Sequence, residues 1–387
     1  MSSSSLVRSL GAAAALALTL AAPAAKASSN PIRYRYVSLD QAAVPPPYAA
    51  NTFFPVAVSN GVVVGTIFDA AFSTEAVAVW RNGTLTIGPA GFATAASKLG
   101  LIGGFSPSFQ AELFLGNKGT LIPALSGQTT AQVDGVSITS LALVQSTNGS
   151  FVTTYEYYLA GLETVINFGV PNPVFGGYMN DLGFVAVTEE ESAAAPYTRG
   201  VRYNPITKQS TLLLPYAGDP TDVLALAQGI NDRNEVLGYS YVNTQPGPGY
   251  HERVGVWNAA GTFQPYYFET IATNQLVFND LDQIVITNPA FEGSGFGTSY
   301  LVPSPGTRID LDTLVVNLPA GLSLDNVAAI DDEGNITGIA GDAAYVNTYP
   351  FLLVPLADGE ESAEVEVQGL KFPSNILQIL HRTASRK

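Results

Sequence analysis

There is no cysteine among the 387 residues, so neither a disulfide nor a thiolate-held metal can brace this fold. Histidine and tryptophan occur only twice each, which leaves His251 and His381 as the sole imidazoles. A catalytic histidine needs a partner to activate and a carboxylate to orient it, and neither one sits in a motif that supplies both. The chain has no G-x-S-x-G elbow, no H-E-x-x-H pair and no phosphate-cradling glycine loop. Positive charge is scarce as well, with 17 Lys and Arg against 32 Asp and Glu, a formal charge of −15. Such a surface repels phosphate backbones and anionic lipid heads, which argues against nucleic-acid and peripheral membrane binding. Charged residues of all kinds make up only 13% of the chain against 47% hydrophobic. That ratio excludes a disordered chain and requires a large core.

What is present begins with an address. Residues 1–27 read as a secretory signal: Arg8 gives a positive start, Ser9 to Ala22 an apolar stretch too short to span a bilayer, and Ala25-Lys26-Ala27 an A-x-A cleavage site. Pro23 ends the segment early, against a retained anchor. Cleavage removes two positive charges and no acid, which takes the formal −15 to −17. No later run of 18 uninterrupted apolar residues follows, so the expectation is a soluble, monomeric protein that is secreted or periplasmic. Export without thiols fits a bacterial envelope protein.

Beyond the signal the chain is short apolar runs punctuated by turn formers, with 37 Gly, 25 Pro, 18 Tyr and 19 Phe. That is the composition of many short strands. Aligning the turns exposes a repeat. An Asn/Asp turn followed by a β-branched run recurs with anchors at Asn60, Asn117, Asn180, Asn231, Asn279 and Asp331, at intervals of 57, 63, 51, 48 and 52 residues. A second landmark, an aliphatic strand closing on an aromatic or apolar residue, follows each anchor at Trp80, Val144, Tyr203, Trp257, Val302 and Val354. About 50 residues hold roughly four strands with their turns. Copies packed around an axis bury both faces of each sheet, so the pattern predicts an all-β, six-bladed β-propeller over residues 28–370. The first two intervals are long enough to hide a seventh blade, the alternative count. Trp80 and Trp257 are expected between blades, and the segment 32–39 is expected to close the ring on the last blade. Residues 363–367 alternate like a half-exposed strand, and 371–387 form a basic tail.

The run Gly229-Ile230-Asn231-Asp232-Arg233-Asn234-Glu235-Val236-Leu237-Gly238, followed by Val254-Gly255-Val256-Trp257-Asn258, resembles the HAF extracellular repeat of bacterial secreted proteins. So does Asp331-Asp332-Glu333-Gly334-Asn335-Ile336-Thr337-Gly338 followed by Phe351-Leu352-Leu353-Val354-Pro355. The similarity extends from about residue 34 to 356, although no copy contains the His-Ala-Phe triplet that names the family. The resemblance implies an exported repeat protein and carries no catalytic residues.

The candidate metal ligands are Asp181, Asp232, Asp280 and Asp331. They are repeat-equivalent, so a propeller would gather them in a ring, and they double as turn formers. A cofactor is not expected; calcium is the alternative, since Asn279, Asp280 and Asp282, or Asp331, Asp332 and Glu333, cluster hard oxygens without matching a calcium loop. Converging carboxylates or amides on the axis would favour a hydrolase or lyase using an axial divalent cation, and apolar plugging a scaffold. The favoured reading is a non-catalytic binding or scaffold module. Its partner would be an extracellular protein or glycan, neutral or cationic, met by loops carrying Tyr48, Tyr197 and Tyr250.

Overall fold

The computed structural model describes residues 32–150, 152–190, 198–242, 251–269, 275–288, 297–342 and 347–357. Its compact unit from Arg33 onward holds seven four-stranded antiparallel sheets. Blades 1 to 6 occupy residues 48–87, 92–121, 130–165, 174–213, 222–269 and 275–310. Blade 7 occupies 322–355 and takes its fourth strand from Tyr34–Ser38. Strands pair in sequence order within each blade, so each is a simple meander whose first strand lines the centre. Tyr34–Ser38 pairs antiparallel with Thr348–Pro355, with Tyr34 opposite Pro355 and Ser38 opposite Phe351. The segment expected to close the ring on the last blade does so. Residues 363–367 and the tail 371–387 lie outside the described residues, as does the signal segment.

The blade count corrects the six-fold expectation to seven, and the reason is local. Each turn from first to second strand in blades 4 to 7 starts with an Asx side chain. Asn180 Oδ1 accepts from the backbone N–H groups of Leu182 and Phe184, Asn231 from Arg233 and Glu235, and Asn279 from Leu281 and Gln283. Asp331 accepts from Asn335. Blades 2 and 3 build the same turn on serine: Ser97 Oγ accepts from Leu101, and Ser137 Oγ from Thr139 and Leu141. A hydroxyl forms this turn as an amide does, only more weakly, so an alignment on Asn and Asp passes over both copies. The anchor at Asn117 is instead an outer turn of blade 2, between Ala111–Leu115 and Lys118–Leu121, and Val144 lies on a second strand rather than a third. The long intervals contained the missing blade.

The core lies between blades. Trp257 is fully buried among Ala186 and Leu213 of blade 4 and Ala225, Ala227 and Val236 of its own blade, and its ring N–H donates to Leu214 O at 2.7 Å. Trp80 takes the equivalent place in blade 1, packed with Leu352 and Val354 of blade 7. Tyr155, Tyr157 and Tyr158 are likewise core residues.

Candidate functional site: a lysine among four aspartates

The six Asx and Ser turns bring their second residues together at one end of the central channel. In order round the ring these are Lys98, Ile138, Asp181, Asp232, Asp280 and Asp332, and Gly61 of the tighter Asn60-Gly61 turn completes the set. Each turn is closed by a residue at positive φ three places after its anchor (Gly100, Ser140, Gly183, Asn234, Asp282, Gly334), which aims every second residue the same way. The aspartates are linked blade to blade. Asp232 Oδ1 accepts from the Asp181 N–H at 2.9 Å, Asp280 Oδ1 from Asp232 at 2.7 Å, and Asp332 Oδ1 from Asp280 at 2.9 Å. Their second oxygens converge on one ammonium: Lys98 Nζ lies 2.6 Å from Asp232, 2.7 Å from Asp332, 3.2 Å from Asp280 and 3.5 Å from Asp181.

Burial alone would lower the Lys98 pKa, but the bonds and charges of Asp232, Asp332 and Asp280 outweigh it and hold the ammonium well above the ordinary lysine range. Four carboxylates share one cation, and the surplus negative charge shows at the least solvated of them. Burial first, and then repulsion from Asp232, raises Asp181 to about 7; burial and Asp232 raise Asp280 to about 6. A carboxylate raised this far is partly protonated near neutrality.

The structure thus brings together three of the four predicted ligands. Asp331 is the exception: it fills the anchor position occupied by Asn in blades 4 to 6, where it accepts from Asn335 at 2.8 Å. Asp332, one residue on, is the ring member. Lys98 was missed because its anchor is a serine, although Ser97-Lys98-Leu99-Gly100 sets beside Asn180-Asp181-Leu182-Gly183 residue for residue. Of the candidate binding tyrosines, Tyr48 does not stand out in a loop: it opens the strand Tyr48–Ser59 and packs half-buried on the blade 1 core. Tyr197 and Tyr250 lie outside the described residues.

A second polar group sits at the opposite end of blade 5. His251 Nε2 lies 2.7 Å from Asp222 Oδ1, and Arg253 Nε donates to Asp222 Oδ2 at 3.0 Å while its guanidinium also meets Asp219. Hydrogen bonds from Thr221, with Arg253 adding to them, lower Asp219 to about 2. Ser240 Oγ donates to Asp222 at 2.8 Å. A hydrolytic triad needs the serine bonded to the imidazole; here serine, histidine and arginine all bond to the same carboxylate. The arrangement fixes three strands to one another. Tyr266, Tyr267 and Phe268 line a depression of about 340 Å³ beside Arg253.

No protein-family model matches this sequence, and no curated protein matches it. Solved structures do. The β-propeller domain of the Trilobed protease from Pyrococcus furiosus superposes with a TM-score of 0.53 at 10% identity, over 86% of this chain and 98% of that one. The chain is a β-propeller. Pyrococcus horikoshii acylaminoacyl peptidase superposes with a TM-score of 0.54 at 11% identity, over 89% of this propeller but only 56% of the longer peptidase chain. Likeness at these identities shows the fold alone. No helix among the described residues is long and apolar enough to cross a membrane.

Proposed function

We propose that this propeller is an exported, non-catalytic binding or scaffold module of the bacterial envelope or extracellular space, built of HAF-type repeats. The observation that carries the reading is Lys98. Four carboxylates converge on the ring axis, the arrangement that favours an axial-cation hydrolase or lyase, yet the chain places its own ammonium among them. An ammonium held by several aspartates neutralises charge, ties blade 2 to blades 4 through 7, and cannot act as a Lewis acid. The other carboxylate oxygens of Asp232, Asp280 and Asp332 are taken by backbone N–H groups of neighbouring blades.

The cation-dependent reading remains the rival because the carboxylate geometry favours it, and one measurement separates the two. Elemental analysis of the purified mature protein is expected to find no stoichiometric divalent metal, with the same result after dialysis against calcium. One tightly bound ion per chain, lost in an Asp232→Asn, Asp280→Asn double variant, would reverse the ranking. The signal segment is tested by the N-terminus of the exported protein, expected at Ser28.

A further inference from the structure

Six phenylalanines form a continuous array on the face opposite the lysine–aspartate cluster, bridging blades 1 and 2. Ring centroids run from Phe72 to Phe68 at 5.4 Å, to Phe92 at 5.9 Å, to Phe105 at 4.7 Å and to Phe109 at 5.8 Å. Phe54 packs beside Phe68 at 5.6 Å. The two ends of the array, Phe72 and Phe109, are 58% and 57% exposed. Both occupy the turn between second and third strands of their blades, and both adopt the left-handed backbone, with φ of 54° and 58°. Glycine or asparagine makes such a turn without the steric cost that a bulky residue incurs there. Two neighbouring repeats nonetheless place phenylalanine at this position and turn more than half of it to solvent. Strain retained twice at equivalent sites, in side chains that bury little, points to function.

The chemistry around the array limits what it can hold. Residues 69–74 and 106–110 contain no Lys or Arg, and the chain as a whole is strongly acidic, so an anionic ligand has nothing to meet. Exposed hydroxyl and amide groups surround the rings: Ser73, Thr74, Ser108 and Gln110. A peptide that binds by adding a strand needs an open strand edge. These turns close their backbone on themselves instead, with Phe72 N donating to Asp69 O, Phe109 N to Ser106 O and Ser106 N to Gln110 O. Repeated flat apolar faces with hydroxyl-bonding neighbours, set on consecutive blades, match a chain of pyranose rings, whose C–H faces lie on aromatic rings while their hydroxyls bond at the rim. We propose that this face of blades 1 and 2 binds a neutral polysaccharide, with Phe72 and Phe109 as its stacking anchors.

The proposal rests on the reading of the propeller as a binding module. It is tested with the mature protein by affinity electrophoresis through gels containing soluble neutral polysaccharides: a β-glucan, a galactomannan and a neutral xylan. Phe72→Asn and Phe109→Asn keep a residue suited to the left-handed turn, so the fold survives; unfolding temperatures within about 3 °C of the parent confirm it. Retardation by at least one polysaccharide is expected, weakened fivefold or more by each variant and abolished by both. Phe268→Asn, which removes an exposed aromatic on blade 5, is expected to leave it unchanged. Three outcomes overturn the proposal: no retardation by any of the three, retardation indifferent to the double variant, or loss in the double variant of binding to an aromatic-rich peptide or to phosphatidylcholine vesicles instead. Retardation indifferent to the variants would leave a binding module standing, whereas stoichiometric metal with turnover would remove that reading independently of the gels.

Discussion

Lys98 and Asp181 are repeat-equivalent residues with opposite electrostatic positions, and single exchanges separate their contributions. Removing the ammonium with Lys98→Met leaves four carboxylates facing one another. The lysine side chain is 41% exposed, so solvent screens part of the loss, and a destabilisation of about 2 kcal/mol at low salt is expected. Added calcium is expected to restore the unfolding temperature of this variant and to leave the parent unmoved; thermal unfolding with and without millimolar calcium reads both. Asp181 is the aspartate farthest from the ammonium and the one most raised. Asp181→Asn removes a carboxylate that is costly to ionise while its backbone N–H still donates to Asp232. It is expected to stabilise the protein by about 1 kcal/mol at pH 8, with no gain at pH 4, where the parent carboxyl is already protonated. Equal effects at both pH values would show that the raised pKa is not the cause.

At the scale of strands and turns, the blade is set by two local devices. The anchor side chain satisfies two backbone donors at once, so Asn231→Ala is expected to cost about 1–2 kcal/mol in urea unfolding. Ser137→Ala should cost less, since a hydroxyl replaces the amide less effectively. The second device is a bulge in the first strand of every blade but the sixth, at Pro55/Ala57, Ala93/Ala95, Val133/Gly135, Phe175/Tyr178, Ala227/Gly229 and Val327/Ala329. The bulge drives a carbonyl toward the second strand, and glycine stands opposite it four times. A Cβ on Gly65, Gly104, Gly238 or Gly338 would lie 1.8 to 2.1 Å from that oxygen. Gly238→Ala is therefore expected to destabilise by about 2 kcal/mol or more, with the unchanged turn at Asn231 as internal control. Gly65, Gly238 and Gly338 close copies of the repeat that the sequence displays, whereas Gly104 closes the serine-anchored copy that an alignment on Asn and Asp passes over; the reason for all four lies outside the repeat. The bulge that requires them is set by pairing across the sheet.

For the whole molecule, closure and pH are the properties to measure. Deleting the strand Tyr34–Ser38 strips blade 7 of its outer strand and leaves Thr348–Pro355 as an open edge, so a fall in unfolding temperature well beyond that of any single exchange is expected. Burial first of all raises Asp134 to about 7 and Asp325 and Asp331 to about 6, alongside Asp181 and Asp280. Each binds a proton more tightly folded than unfolded, so its stabilising contribution is complete below about pH 4 and is lost as pH rises through 6 to 7. Unfolding temperatures are accordingly expected to be higher at pH 5 than at pH 8, and the reverse order would contradict the raised values. The sequence by itself determined the all-β repeat, the closing strand and three of the axial aspartates, because turn chemistry and strand alternation are local and each copy states them anew. The seventh blade, the place of Lys98, the exchange of Asp331 for Asp332 and the phenylalanine array were decided by tertiary structure alone. Serine makes the same turn as asparagine, and a residue's neighbours across a ring are fixed by how the blades close, not by how the chain is spaced.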